Sequence, residues 1–252
     1  MGKLPIAVQL YTLRDDAAKD FPAVLKQVAG LGYAGVELAG THGMAAADLK
    51  RLLDDLGLKA VGSHTGIEQL ETELSAVLDY NEAIGNPYVV CPWMPEERRQ
   101  SADGWKRAAE TLAGIGEACQ TRGMRLCYHN HAFEFERFNG ATGLDILFGG
   151  APAAALGSEL DTYWVRYGGE DPVAYLRKLA GRVPLVHLKD MLGDESRGFA
   201  EVGEGVMDWP TIAAEAGAAG AEWLIVEQDV CQRPPIESVE ISLRNLRRMG
   251  IA

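Results

Sequence analysis

Cysteine is scarce in this chain. Its four residues, Cys91, Cys119, Cys127 and Cys231, are far apart and form no C-x-x-C pair, which argues against a disulfide framework and against a thioredoxin-like or zinc-ribbon motif. Cys91 and Cys127 fall in or at the end of apolar runs and read as core filler, not as nucleophiles. Long hydrophobic runs are also lacking. The opening segment Met1-Gly-Lys-Leu-Pro-Ile-Ala-Val-Gln-Leu-Tyr11 is too short in its apolar part for a signal sequence and reads as a first strand, so a cytoplasmic protein without membrane association is expected. Positive charge is in deficit: 24 Lys and Arg stand against 36 Asp and Glu, a formal net charge of -12 with no basic run. Nucleic-acid affinity rests largely on cationic neutralisation of phosphates, so no nucleic-acid partner is expected. There is no G-x-G-x-x-G after the first strand, where Thr12-Leu-Arg-Asp-Asp16 stands instead, and no P-loop or G-x-S-x-G. Dinucleotide, phosphate-cradle and serine-nucleophile chemistries lose their signatures with them.

What is present is a repeated unit: a helix, a short Gly-containing turn, then an apolar strand ending in a polar residue, about every 25 to 35 residues. The strand-like runs are Ile6–Tyr11, Tyr33–Leu38, Leu58–His64, Tyr88–Trp93, Met124–His131, Leu156–Asp161, Pro184–Lys189 and Trp223–Glu227. Between them, apolar residues recur at helical spacing over Phe21–Leu31, Ala45–Leu56, Gln69–Ile84, Ala102–Cys119, Pro172–Leu179, Trp209–Ala216 and Ile236–Met249. Gly32, Gly57, Gly85, Gly123 and Gly220 sit where a left-handed residue ends a helix, and Asp20, Ser101 and Asp208 are expected N-caps. Alternating strands and helices imply parallel strands joined by crossover helices. Eight units and no dinucleotide fingerprint favour a closed (β/α)8 barrel over an open sheet, and the lack of a linker or composition shift favours one domain over residues 1–252.

A barrel places its active site at the C-terminal ends of the strands. There this sequence carries Gln9, Tyr11, Glu37, His64, Trp93, His129, His131, Glu159, Asp161, His187, Lys189 and Glu227, with His42 in the loop after the second strand. Strand alternation puts His187 and Lys189 on one face, Glu159 and Asp161 on one face, and Glu227 with Ile225. Buried carboxylates beside imidazoles need mutual hydrogen bonds or a cation, because an isolated buried charge is costly. One divalent ion is the simplest solution; mixed N/O ligands suit Mn, Co, Zn, Fe or Mg, and the sequence does not separate them.

The motifs Val8-Gln-Leu-Tyr-Thr-Leu13, Gly35-Val-Glu-Leu38, Tyr128-His-Asn-His131, Leu160-Asp-Thr-Tyr-Trp164, Val186-His-Leu-Lys-Asp190, Gly203-Glu-Gly205 with Asp208-Trp209, and Val226-Glu-Gln228 resemble the sugar isomerase/epimerase superfamily of xylose-isomerase-like barrels, over nearly the whole chain. The resemblance implies a metal held from strands five to eight, usually by Glu, Asp, His and Glu. Asp161, His187 and Glu227 occupy the last three positions; the first carries His129, with Asn130 one register away. Family epimerases use two metal-bound glutamates as opposed bases, and only Glu227 matches here. The His-rich fifth strand looks more like inosose-dehydratase-like members, or relatives acting on keto-sugars and keto-glycosides.

The expected function is therefore that of a metal-dependent isomerase or epimerase-type enzyme. Its substrate would be a small ketose, keto-polyol or sugar derivative, and its key step proton abstraction beside a carbonyl; dehydration is the alternative. In this reading Glu227 is ligand and base, Lys189 and His131 act at the mouth, and Glu37 and His64 flank the substrate. Tyr11, Trp93 and Trp164 form apolar walls, and Glu204 lies in a Gly-rich cover loop. Glu134 and Glu136 read as solvated loop residues. Rival readings are an endonuclease IV-type nuclease, disfavoured by charge and by Trp164 where that class has histidine, and a silent sugar-binding barrel. A homo-oligomer stays open.

Overall fold

The computed structural model describes residues 3–252. Eight parallel strands close into a barrel: β1 (Ile6–Gln9), β2 (Gly35–Leu38), β3 (Lys59–His64), β4 (Tyr88–Cys91), β5 (Arg125–His129), β6 (Leu156–Asp161), β7 (Leu185–Leu188) and β8 (Trp223–Val226). Each strand pairs with its sequence neighbours, and β8 closes onto β1. The expected (β/α)8 architecture is thus what the chain forms.

Alternation along these strands divides the core in two. Ala7, Val61, Tyr88, Val90, Cys127, Leu185 and Ile225 form one buried cluster. Their strand neighbours Val8, Val89, Leu126, Val186, Leu188, Leu224 and Val226 join a second, larger cluster with helix residues such as Leu25, Leu49, Leu112 and Leu243. Fully burying a Leu or Ile side chain contributes about 1.5–3 kcal/mol, so both clusters hold strand parity firmly. A one-residue slip would exchange the two sets.

The expected N-caps form: Ser101 accepts from the Gly104 amide at 3.1 Å, Asp208 from the Thr211 amide at 3.2 Å, and Asp20 from the Ala23 amide at 2.9 Å. Asp20 lies inside a longer helical span, Arg14–Leu31, which kinks there because Asp20 leaves helical geometry (φ -151°, ψ 84°). The expected helix over Gln69–Ile84 is two, Ile67–Thr72 and Leu74–Ile84, broken at Glu73. Three helices that periodicity did not reveal, Glu96–Arg99, Gly143–Gly150 and Thr162–Tyr167, are short. Among the described residues no helix is long and apolar enough to cross a membrane.

The loop after β7 is tied down by one side chain. Asp190 Oδ1 accepts from the amides of Met191 (2.8 Å) and Met207 (3.1 Å). Its Oδ2 accepts from the Gly203 amide (2.8 Å) and Trp209 Nε1 (2.6 Å). Gly205 lies so close that a Cβ there would fall 2.2 Å from Asp190 Oδ1. Close packing on a buried carboxylate explains Gly205, and a left-handed backbone (φ 87°) explains Gly203.

Candidate active site

Two residues beyond the inner apolar cluster, the same strand faces turn polar: Ala7 is followed by Gln9, Cys127 by His129, Leu185 by His187 and Ile225 by Glu227. Strand register levels them. His129 lies opposite Glu159, and Asp161 opposite His187. The apolar layer is therefore the floor, and the polar layer faces the barrel mouth.

His187 is the hub of that layer. Its Nδ1 lies 2.8 Å from Glu227 Oε2, and its Nε2 lies 2.7 Å from Glu37 Oε2 and 3.2 Å from Glu159 Oε2. Gln9 Nε2 donates to Glu37 Oε2 at 2.9 Å. His129 directs Nδ1 at Glu159 Oε2 (3.1 Å) and Nε2 towards Asp161 Oδ2 (3.7 Å). His64 Nε2 lies 2.7 Å from Glu159 Oε2. Lys189 Nζ lies 3.1 Å from Asp161 Oδ2, 2.7 Å from Glu227 Oε2 and 2.7 Å from Asp229 Oδ1.

Five carboxylates, Glu37, Glu159, Asp161, Glu227 and Asp229, thus share one obligate cation, Lys189, in a largely buried space. Such an excess must be met by protons or by a further cation. Burial raises Glu37 to about 7, with the charge of Glu159 adding to it. Burial likewise raises Asp161 to about 6 against the pull of Lys189. For Glu227 burial opposes the charge, but Lys189 and His187 outweigh it and hold the carboxyl well below its usual range. Burial pushes His129 down to about 3. For His187 it is outweighed by Glu159 and Glu37, which hold the imidazole well above its ordinary value.

The donor set fits a divalent ion. One ligand atom from each of His129, Asp161, His187 and Glu227 lies within 4.8 Å of the others. Asp161 Oδ2 is buried with no hydrogen-bond partner, because Lys189 approaches it without hydrogen-bond geometry. Two imidazoles and two carboxylates suit a first-row divalent metal. A second group, His64, His129, Glu159 and His187, overlaps the first. Asn130 turns away from both: its Oδ1 accepts from the Asp161 amide at 3.0 Å and its Nδ2 donates to the Asp161 carbonyl at 3.2 Å. This amide clamp fixes the end of β5 against β6.

A cavity of about 390 Å³ opens above, lined in part by Tyr11, Trp93, His64, His129, His131, Lys189, Glu227 and Asp229. A smaller one of about 260 Å³ shares His64 as a wall and adds Thr41, Ser63, Thr65 and Gln69. Three residues expected around the substrate do not line the main cavity. Glu37 is sealed beneath it, bound to Gln9 and His187. Trp164 packs against His131 and Tyr163, with ring centroids 5.6 and 4.9 Å apart. Glu204 is exposed and faces Arg233 at 3.9 Å, because Asp190 holds the intervening loop.

Glu134 corrects the expectation of a solvated loop residue. It is fully buried, and its carboxylate accepts from Tyr128 OH and from the His131 amide, each at 2.7 Å; burial raises it to about 8. Glu136, by contrast, is exposed. Asp229 and the central role of Glu159 were also missed. Asp229 follows Glu227 by two, the same alternation that pairs His187 with Lys189, so parity carried past the strand end would have found it.

Among proteins of known name, the rhizopine catabolism protein MocC of Rhizobium meliloti is 26% identical over 273 aligned positions, which span 90% of this chain and 81% of that protein. The inosose dehydratase of Geobacillus kaustophilus is 29% identical over 193 positions, spanning 68% of this chain and 62% of that protein. A solved sugar phosphate isomerase/epimerase from Parabacteroides distasonis superposes with a TM-score of 0.86 at 24% identity, covering 100% of this chain and 96% of that one, a likeness of fold. A family model described as Xylose isomerase-like TIM barrel matches residues 25–249, and the chain belongs to that family.

Proposed function

We propose that this chain is a metal-dependent dehydratase of a small keto-polyol or keto-sugar. The observation that carries the reading is the polar layer at the cavity floor, where His129 stands in place of a second base and Glu227 is the one donor-set carboxylate that lines the cavity.

His129, Asp161, His187 and Glu227 would hold the ion, which supplies polarisation of the substrate carbonyl and stabilises charge developing on its oxygen. Glu227, kept ionised by Lys189 and His187, takes the proton from the carbon beside the carbonyl. The electron pair left on that carbon spreads onto the carbonyl oxygen. Its return breaks the bond to the hydroxyl on the next carbon, and Glu227 gives that hydroxyl its proton, so that water leaves from the same face. One base suffices for this sequence, whereas epimerisation needs the proton returned on the opposite face. The likeness to an inosose dehydratase supports elimination. The second reading, ketose isomerisation, also needs a single base, and the likeness to an inosose dehydratase weighs against it.

Tyr11 and Trp93, both half-exposed at the rim, present apolar faces to a ring, and His131 lines the cavity beside His129. The cavity volume lies at the small-ligand end of the usual range. The net charge of -12 keeps a nuclease reading unfavourable.

Metal analysis of the purified protein, followed by incubation with an inosose in deuterated water, tests the proposal. One ion per chain and a product lighter by one water is the expected result. Solvent deuterium in an isomer without water loss would replace dehydration by the second reading, and absence of a bound ion after metal loading would sink both.

A further inference from the structure

A single oxygen, Glu159 Oε2, receives three imidazole nitrogens: His64 Nε2 at 2.7 Å, His129 Nδ1 at 3.1 Å and His187 Nε2 at 3.2 Å. Glu159 is fully buried, and its other oxygen has no hydrogen-bond partner. The reading of a bound metal leaves this carboxylate without a role. We propose that Glu159 is a positioning residue that fixes which nitrogen of each of these histidines carries the proton, and so selects where the metal sits. The inference rests on the proposed metal site and extends it.

A neutral imidazole has one N–H and one lone pair, and an ionised carboxylate only accepts. The nitrogen facing Glu159 therefore carries the hydrogen, and the opposite nitrogen has the free lone pair. For His129 that leaves Nε2, which points towards Asp161 Oδ2. His187, charged in the metal-free site, carries hydrogens on both nitrogens; Nε2 is held by Glu37 Oε2 at 2.7 Å with Glu159 Oε2 beside it at 3.2 Å, so the hydrogen that an ion would displace is the one on Nδ1, on the side of Glu227. Both lone pairs then serve the group His129, Asp161, His187 and Glu227. The overlapping group His64, His129, Glu159 and His187 needs the reverse nitrogens, Nδ1 of His129 and Nε2 of His187.

Access agrees with this choice. His129 and Glu227 line the main cavity, whereas Glu159 does not. Glu227 also has Lys189 as a second partner at 2.7 Å, so it does not depend on a proton from His187. The third imidazole gains a directed function from the same oxygen. With Nε2–H held by Glu159, His64 keeps Nδ1 as its free nitrogen, and its ring is a wall of both cavities. Carboxylates that orient metal-binding histidines typically change metal affinity by about 10- to 100-fold when removed.

The test is 15N NMR of histidine-labelled protein loaded with zinc, combined with zinc affinity by competition with a chelating dye. In the wild type, zinc is expected on Nε2 of His129 and Nδ1 of His187, an assignment that requires no variant to fold. Glu159→Gln, which leaves an acceptor without charge, should keep one zinc per chain and bind it roughly 10- to 100-fold more weakly. Zinc on the reverse nitrogens in the wild type, or a Glu159→Gln affinity within twofold of wild type, overturns the proposal while leaving the metal reading intact. A wild type that takes up no zinc or other divalent ion overturns that reading as well, which separates the two failures.

Discussion

Lys189 and Glu227 are joined through Nζ and Oε2 at 2.7 Å, so the ammonium occupies the side of a carboxylate that also faces His187. Asp161 and Asp229 complete its surroundings. Burial opposes the charge of Lys189, and Asp161 and Glu227 outweigh it, holding the ammonium protonated. The site therefore carries a built-in cation that neutralises part of its excess negative charge.

Replacing Lys189 by Met removes that cation and leaves three carboxylates uncompensated. Breaking a buried pair by removing one partner costs about 3–5 kcal/mol, so the metal-free variant should melt well below the wild type. A divalent ion should restore more stability to Lys189→Met than it adds to the wild type, because it meets carboxylates no longer shared with an ammonium. Thermal melts across a metal titration check this. Equal metal-induced shifts in the two proteins would remove Lys189 from the electrostatic account.

Glu134 provides a pH test away from the metal donor set. Its folded pKa is raised by burial from 4.5 to about 8. The folded state therefore binds a proton more tightly than the unfolded chain. That contribution is fully present below about pH 4.5 and is lost as pH rises towards 8. Glu134→Gln keeps the shape without the titration, so the variant should gain on the wild type by on the order of a few kcal/mol across this window. Urea unfolding at several pH values measures the difference, and parallel curves would count against it.

The barrel and its polar mouth were legible in the sequence for one reason. Strand parity is a local rule enforced by two buried clusters, and Leu185, His187 and Lys189 or Ile225 and Glu227 follow it without exception. What stayed illegible depends on contacts between distant segments. Nothing in the order Phe133-Glu134-Phe135 tells that Tyr128 and the His131 amide close on Glu134. Glu204 looked available because its flanking glycines are visible in the sequence, while the Asp190 side chain that pins them is thirteen residues from Gly203. Glu159 shares a face with Asp161, as alternation requires, but the convergence of three histidines on it comes from β3, β5 and β7 meeting across the barrel.

The rim aromatics give a kinetic prediction. Tyr11 and Trp93 line the cavity and are not members of the donor set, and they are 44% and 47% exposed. Truncating either to Ala should weaken substrate binding in ground and transition state alike, raising KM roughly three- to tenfold with kcat within about twofold. Steady-state kinetics with an active keto-polyol decide the matter. A large fall in kcat at unchanged KM would place the residue in the chemistry instead.

Gly62 tests whether Glu37 supports the site from below. Glu37 and Gly62 are register partners at an irregularity between β2 and β3, and a Cβ on Gly62 would fall 2.3 Å from Glu37 Oε1 and 3.1 Å from its Cδ. That carboxylate is not a free chain end, since Gln9 and His187 hold its other oxygen at 2.9 and 2.7 Å. Gly62→Ala must therefore push Glu37 off His187 or bend the strand. Overpacking of this kind costs typically about 1–3 kcal/mol, and losing the Glu37 contact should also loosen His187 and weaken metal retention. Gly114→Ala is the control: Gly114 lies inside the helix Ala102–Thr121, where an added methyl group would meet nothing within 4 Å, and Ala there should stabilise by about 0.5–1 kcal/mol. Chemical unfolding and metal content of both variants make the comparison. Should Gly62→Ala retain metal as the control does, Glu37 would be a bystander to the ion, and the orientation of His187 would rest on Glu227 and Glu159.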